Sequence, residues 1–394
     1  MTLTPDFTGS SGQGDVGTAA GTLPTEQPVY LGEPETDVAL WAVIFAGGIG
    51  SRFWPLSTPA RPKPLLALVS DRTLIEDAVG RLQPAIPPER VLILTSRDIA
   101  PAIRTVTKDV PEENVLVEPR PLGTAAALAW ASQELVRRGG PSAMMCAVHA
   151  DLAVDFPDEF RRTLRRAAAY AARERALVSI GIRPTRPETG FGYVMTGPPL
   201  DSDAPLVRGG AATTLGYIEK PSMAEAEARI ADGALWHGGV VVGAAGVFLQ
   251  ELRRHCAEVR DALDPLAAGN LPGFVGLVRA TSLERGLLER TDRLLVLQGD
   301  FGWDDVGTWA SLRRARELDD DGNGAFGDVT FVDADCNVVH SGHGSVVMYG
   351  VSKMLVVTLN GLTFVTTLDR ASDLNRLLDA LPGSMRIHPT GLPR

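Results

Sequence analysis

Residues 41–46, WAVIFA, form an unbroken apolar run that stops at Gly47-Gly48. Such a run, with β-branched and aromatic side chains and a glycine boundary, is a strand buried on both faces, which belongs in a parallel sheet covered by helices. In the loop that follows, Gly47, Gly48 and Gly50 let the backbone approach a ligand and present N–H groups, while Arg52 and Lys63 add fixed positive charge. A loop of this kind suits phosphate. It is not a Walker A loop, because no Lys follows the glycines, and a dinucleotide fingerprint placed on Gly48 and Gly50 fails at Phe53. Pro55, Pro59, Pro62 and Pro64 also keep the segment from running straight into a helix. Taken alone, a Gly/Pro loop that only turns the chain remains the alternative.

From Asp37 to about residue 320, apolar runs alternate with helical stretches. Helices are expected over 73–82, 100–108 and 158–176, with strands at 91–95, 114–117, 144–148 and 177–182. That alternation implies βαβ units and an α/β fold with a doubly wound, mixed but mostly parallel, Rossmann-like sheet. Ligands then belong at the carboxyl ends of the strands. The 394 residues suit one large domain over 37–320 and a smaller one over 321–394. Residues 1–36, rich in Gly, Thr, Ser and Pro without Lys or Arg, are expected to be a disordered tail. Beyond Asn323, short β runs are expected at 329–332, 338–340, 345–349, 354–357 and 363–366, then a helix over 371–381. Their spacing fits a small β-solenoid or a small β-sandwich.

The net charge of −10 and pI near 5.2 exclude a basic stripe for nucleic acid. Substrate phosphates therefore need local positive charge, and only four lysines are present: Lys63, Lys108, Lys220 and Lys353. The three scattered cysteines suggest neither disulfides nor structural zinc, so a reducing cytoplasmic compartment is expected. No apolar run reaches 18 residues and no signal region stands at the start, so no membrane association is expected.

Further chemistry-bearing residues stand at the ends of the expected strands. Gly123-Thr124 opens an alanine-rich helix, where Thr124 can cap the helix or face a ligand. Asp151 follows the strand at 144–148, placed either to hold a cation or to cap a turn. Glu219-Lys220 closes an apolar strand, as a surface ion pair or aimed at a polar ligand. Asp300, Asp304 and Asp305 are expected on a turn before a helix, with Asp304 as its cap.

The order G-G-x-G-x-R, then P-K-P, E-K-P and F-G-W-D-D-V-G-T-W, resembles the sugar-1-phosphate nucleotidylyltransferases. Within that family, R-F-W-P-L-S at 52–57 looks most like the mannose-1-phosphate guanylyltransferase branch. The resemblance implies nucleotide contacts at Ala46, Gly47, Gly48, Gly50, Ser51, Arg52, Lys63, Gly123 and Thr124. It implies sugar-phosphate contacts at Gly192, Tyr193, Glu219, Lys220 and His237, and Mg2+ held by Asp151 and Asp305. His237-Gly238 stands where the family usually has Asn followed by Ser or Thr, and Leu122-Gly123 departs from the usual R-N before T-A. Arg52, Lys63 and Lys220 are the implied charge-neutralising catalytic residues. The implied reaction joins GTP and mannose-1-phosphate into GDP-mannose, and the implied assembly is a homodimer built on a truncated left-handed β-helix. Two alternatives stay open: another nucleotide with glucose-1-phosphate, and a regulatory protein that binds a nucleotide sugar without turnover.

Overall fold

A computed structural model describes residues 39–201, 206, 209–359 and 361–387, so the tail expected at 1–36 lies outside the described residues. The opening apolar run becomes β1 (Leu40–Phe45). It pairs in parallel with β2 (Val91–Ser96), beyond which lies β3 (Val115–Glu118), and on its other side with β4 (Met144–His149). The crossovers are α1 (Leu74–Gly80), α2 (Ala100–Val106) and α3 (Thr124–Gly139). Val43 and Ile44 face opposite cores and are both fully buried, as a central parallel strand requires. At the start of α1, Thr73 and Glu76 form a reciprocal capping box.

After β4 the chain makes a short strand outside the sheet, β5 (Leu152–Val154), then α4 (Pro157–Glu174) and β6 (Leu177–Ile182). It continues through β7 (Gly192–Pro199), β8 (Ala211–Glu219), α5 (Met223–Ala231) and β9 (Leu235–Ala244). Three helices follow, α6 (Ala245–His255), α7 (Leu263–Ala267) and α8 (Leu271–Leu277), before β10 (Leu294–Gly299), β11 (Trp303–Asp305) and α9 (Trp309–Arg314). The sheet order is β3-β2-β1-β4-β9-β6-β10-β8-β7, in which β8 and β9 alone run against the rest. The sheet is therefore mixed, because β9 inserts antiparallel between β4 and β6.

Beyond α9, β12 (Gly324–Val332), β13 (Val338–Tyr349) and β14 (Met354–Leu359) pair in parallel, and β15 (Leu362–Thr367) folds back on β14 as a hairpin. The two runs expected at 338–340 and 345–349 are one strand, with a register slip opposite Phe326 and Asp328. Between the strands, buried asparagines stack. Asn337 Nδ2 donates to Asn323 Oδ1 at 2.9 Å and to the Val351 carbonyl at 3.0 Å, and Asn337 Oδ1 accepts from Met354 N at 2.9 Å. The single terminal helix expected over 371–381 is a 3-10 turn (Arg370–Ser372) and α10 (Asn375–Ala380), stopped ahead of Pro382, with α11 (Gly383–Ile387) beyond.

This C-terminal sheet shares a core with the glycine loop. Phe53, Leu56 and Leu66 pack with Val306 and Trp309, and with Val338, Leu355 and Val357 of the stacked strands. The loop is thus clamped from behind by residues nearly 300 positions away in the chain.

Candidate active site

The glycine loop is shaped by what it hides. Phe53 packs on Trp309 at 5.2 Å between ring centres and Trp54 on Phe364 at 5.3 Å, so both aromatics turn into the core. Arg52 is left outside, exposed and without an ion pair among the described residues. Gly50 has φ 74°, and a Cβ there would lie 2.4 Å from Lys63 Cβ, so no other residue fits. Lys63 N–H donates to the Ile49 carbonyl at 2.9 Å, and its buried amine pairs with Asp151. The Ala46 N–H donates to Leu94 O at 2.8 Å and its carbonyl accepts from Thr95 Oγ1 at 3.0 Å. It anchors the loop to β2. Ser51 starts an exposed 3-10 turn and lies outside the cleft lining.

A cleft of about 410 Å³ opens at the carboxyl ends of β1, β3 and β4. Gly47, Gly48, Gly50, Arg52 and Lys63 form one wall, Glu118, Gly123 and Thr124 the other, with His149 and Asp151 on the floor. At Gly123, φ is 83° and a Cβ would meet the Thr281 carbonyl at 2.3 Å, so the residue is needed for close packing. The Thr124 hydroxyl, also in the cleft wall, accepts from Leu283 N at 2.7 Å, which ties α3 to the segment at 281–288. Glu118 faces the glycines, and its Oε1 is buried with no hydrogen-bond partner among the described residues. Burial pushes this carboxyl up to about 7.

Asp151 and Asp305 meet because β5 and β11 pair antiparallel, with Asp305 opposite Leu152 and Val306 N donating to the Asp151 carbonyl at 3.2 Å. Asp305 thus ends a strand instead of standing on a turn. Burial opposes charge on Asp151, but Lys63 and His149 outweigh it and hold the group below the usual range. Burial and the facing Asp151 push Asp305 above it. Two carboxylates with one proton's worth of conflict between them are a donor set that a divalent cation relieves. Asp304 is not the cap of α9. It takes a two-pronged bond from Arg314, at 2.7 and 3.0 Å, while Thr308 and Ser311 form the capping box.

Outside the cleft lining, Glu219 accepts from the Tyr217 hydroxyl at 3.0 Å and lies 3.4 Å from Lys220 Nζ. Burial and Glu284 push the Glu219 carboxyl up. Lys220 has φ 54°, held by its N–H on the Phe191 carbonyl at 3.1 Å, and this left-handed turn carries the amine into solvent. Gly192 leaves room for Tyr217, whose hydroxyl would lie 1.9 Å from a Cβ. Tyr193 is fully buried, with its hydroxyl bonded to both N and O of Glu188, so its side chain shapes the loop. His237 is buried too, with Nδ1 2.8 Å from Ser179 Oγ, and burial brings the imidazole down to about 4. Its Nδ1 is thereby engaged within the fold, which leaves Nε2 for any other contact.

Three residues escaped the sequence reading. His149 sits 3.9 Å from Glu284, which comes from a one-turn π-helix (Glu284–Leu288). Burial opposes charge on Glu284, yet its bond to His149 and the nearby His237 hold it at about 2, while Glu284 and Asp151 push His149 up against the effect of burial. Glu118 is the third. The available signal was weak: Glu284 is one carboxylate in a leucine-rich turn, and His149 stands two residues before Asp151.

Residues 41–322 match the family model of the Nucleotidyl transferases. The mannose-1-phosphate guanylyltransferase of Sinorhizobium fredii is 28% identical over 365 residues, which covers 88% of this chain and 70% of that protein. The protein of the same name from Escherichia coli is 29% identical over 361 residues, covering 88% and 74%. Among solved structures, the mannose-1-phosphate geranyltransferase of Thermus thermophilus superimposes with a TM-score of 0.79 at 33% identity. That match covers 86% of this chain and 98% of the other.

Proposed function

The chain belongs to the Nucleotidyl transferase family, and from that premise we propose that it transfers GMP from GTP to mannose-1-phosphate. A phosphate oxygen of the sugar phosphate attacks the α-phosphorus, the new O–P bond forms in line, and the α–β bridge breaks to release pyrophosphate. No protein nucleophile is needed, so the residues act by positioning and charge. Arg52, exposed on the glycine wall, neutralises the departing pyrophosphate. Lys63 serves the nucleotide phosphates, the Gly47, Gly48 and Gly50 backbone cradles them, and Lys220 holds the attacking phosphate. Glu219 accepts from hexose hydroxyls.

Asp151 and Asp305 would hold Mg2+, and the upward push that burial and the facing charge give Asp305 is the observation that fits a cation there. When bound, the ion withdraws charge from the α-phosphoryl group.

The single observation that carries the base is Glu118, whose Oε1 is buried in the cleft wall without a partner. A guanine edge presents adjacent N–H donors, and one carboxylate satisfies two of them; uracil, thymine and adenine offer no such pair. The names of the two guanylyltransferase relatives support the hexose.

The same reading takes residues 37–320 as the catalytic unit and 321–394 as an oligomerisation unit, in a cytoplasmic homodimer. The parallel stack of β12, β13 and β14 with its asparagine ladder supports a truncated left-handed β-helix. Val332, Val347 and Tyr349, exposed side by side on that stack, support a second copy as their cover. No described helix is long and apolar enough to cross a membrane.

The test is pyrophosphate release with Mg2+, crossing GTP, UTP, dTTP and ATP against mannose-1-phosphate and glucose-1-phosphate. Release confined to GTP with mannose-1-phosphate is expected. Release with another pair moves the substrate, and none with any pair makes a regulatory binding role the better reading.

A further inference from the structure

At the amino ends of the parallel strands, opposite the cleft, the last turns of α6 carry Glu251 and His255, one turn apart, and the loop entering β10 brings Asp292 against them. His255 Nε2 is buried and has no hydrogen-bond partner among the described residues. It lies 3.5 Å from Glu251 Oε2 and 3.8 Å from Asp292 Oδ1, and one donor atom from each residue falls within 4.8 Å of the other two. Those separations are long for hydrogen bonds. They are close to the ligand–ligand edge of a tetrahedron with bonds of about 2.0 Å, which is about 3.3 Å.

We propose that Glu251, His255 and Asp292 form a zinc-class divalent cation site, separate from the active site, that pins the end of α6 to the entry of β10. One imidazole and two carboxylates give three protein donors, and water completes the fourth position. The imidazole selects against Mg2+, which wants oxygen alone. The neighbours leave one Asp292 oxygen free and hold the facing Glu251 oxygen in place. Arg254 binds Asp292 Oδ2 at 3.1 Å, so Oδ1 faces the imidazole. Thr291 Oγ1 donates at 2.6 Å to Glu251 Oε2, the same oxygen that faces the imidazole, and orients it as an outer-shell group orients a ligand, with a second lone pair left for the cation. Arg293 approaches the other Glu251 oxygen at 3.9 Å. Glu251 is only 2% exposed, so a purely electrostatic role would leave a buried carboxylate facing a ring nitrogen that bonds neither partner.

The test is calorimetric titration of metal-stripped, full-length protein with zinc, without nucleotide. An Asp151→Asn/Asp305→Asn background removes the other carboxylate pair. One zinc per chain is expected in that background, and adding His255→Gln should weaken it by roughly 100-fold or more. Cobalt in place of zinc should give the visible absorption of a tetrahedral site, lost with the same substitution. Far-UV circular dichroism checks the fold of His255→Gln, and exposed Asp292→Asn serves as the second variant if it misfolds. Absence of zinc binding in the background protein, or affinity unchanged by the ligand substitutions, overturns the proposal.

Discussion

Two regions bury polar groups in opposite ways. In the C-terminal stack, Asn323 and Asn337 are nearly inaccessible, and each amide is matched donor to acceptor with the next turn of chain. In the cleft, Asp305 is pushed up by burial and by Asp151, Glu118 has an orphaned oxygen, and Arg52 has no ion-pair partner among the described residues. The stack uses polarity to fix register, whereas the cleft keeps it unsatisfied and open to a charged ligand. Neutralising a group should therefore lower stability in one region and raise it in the other.

The sharpest separation is expected from Asp305→Asn. Pyrophosphate release should fall by roughly 10³-fold or more, the scale of losing a metal-assisted charge contact. The melting temperature of the metal-free protein should rise, because a like-charge conflict is removed. A fall in both would show that Asp305 is structural. Arg52→Ala comes next, with turnover down roughly 10²-fold and an unchanged melting temperature, since the side chain is exposed and supports nothing; near-normal turnover would take Arg52 out of the chemistry.

Asn337→Ala should show the reverse behaviour. It strands Met354 N in a buried stack and leaves Asn323 Oδ1 and the Val351 carbonyl with only the Asn337 and Asp335 backbone N–H groups, at a cost of about 2 kcal/mol. Turnover per folded molecule, measured well below the transition, should persist. The smallest effect is at Glu118. Its carboxyl is raised in the fold to about 7, so the folded state holds its proton more tightly than the unfolded chain does. Ligand-free stability should then fall by about 1–2 kcal/mol, allowing for solvent screening, as pH rises from the usual glutamate range to about 7. Glu118→Gln should flatten that slope. The KM for GTP should rise as pH falls below 7 in the wild type and lose this dependence in Glu118→Gln. Parallel pH profiles in both proteins would remove Glu118 from base reading.

Much of this contrast was readable along the chain. Capping boxes, glycine turns and apolar runs are local, and the expected strands at 91–95, 144–148 and 177–182 lie within β2, β4 and β6. The motif letters also marked Gly50, Lys63, Gly123, Asp151 and Glu219. What the letters left open was which polar groups already have partners inside the fold. Tyr193 and His237 carry ligand-binding chemistry by type, yet Glu188 and Ser179 absorb it. Thr124 gives its acceptor to Leu283.

What the sequence determined by itself was the set of charges and the backbone shapes that present them: a buried strand, a glycine loop stiffened by proline, and aspartates set at strand ends. The ionisation and the accessibility of those groups were decided only by tertiary structure. Lys63 meets Asp151 across 88 positions and Thr124 meets Leu283 across 159. Glu284 governs His149 from a segment with no motif signal of its own. Local pattern fixes conformation because its hydrogen bonds and sterics are short-range in sequence, while charge state depends on burial and on Coulomb partners, which only folding brings together.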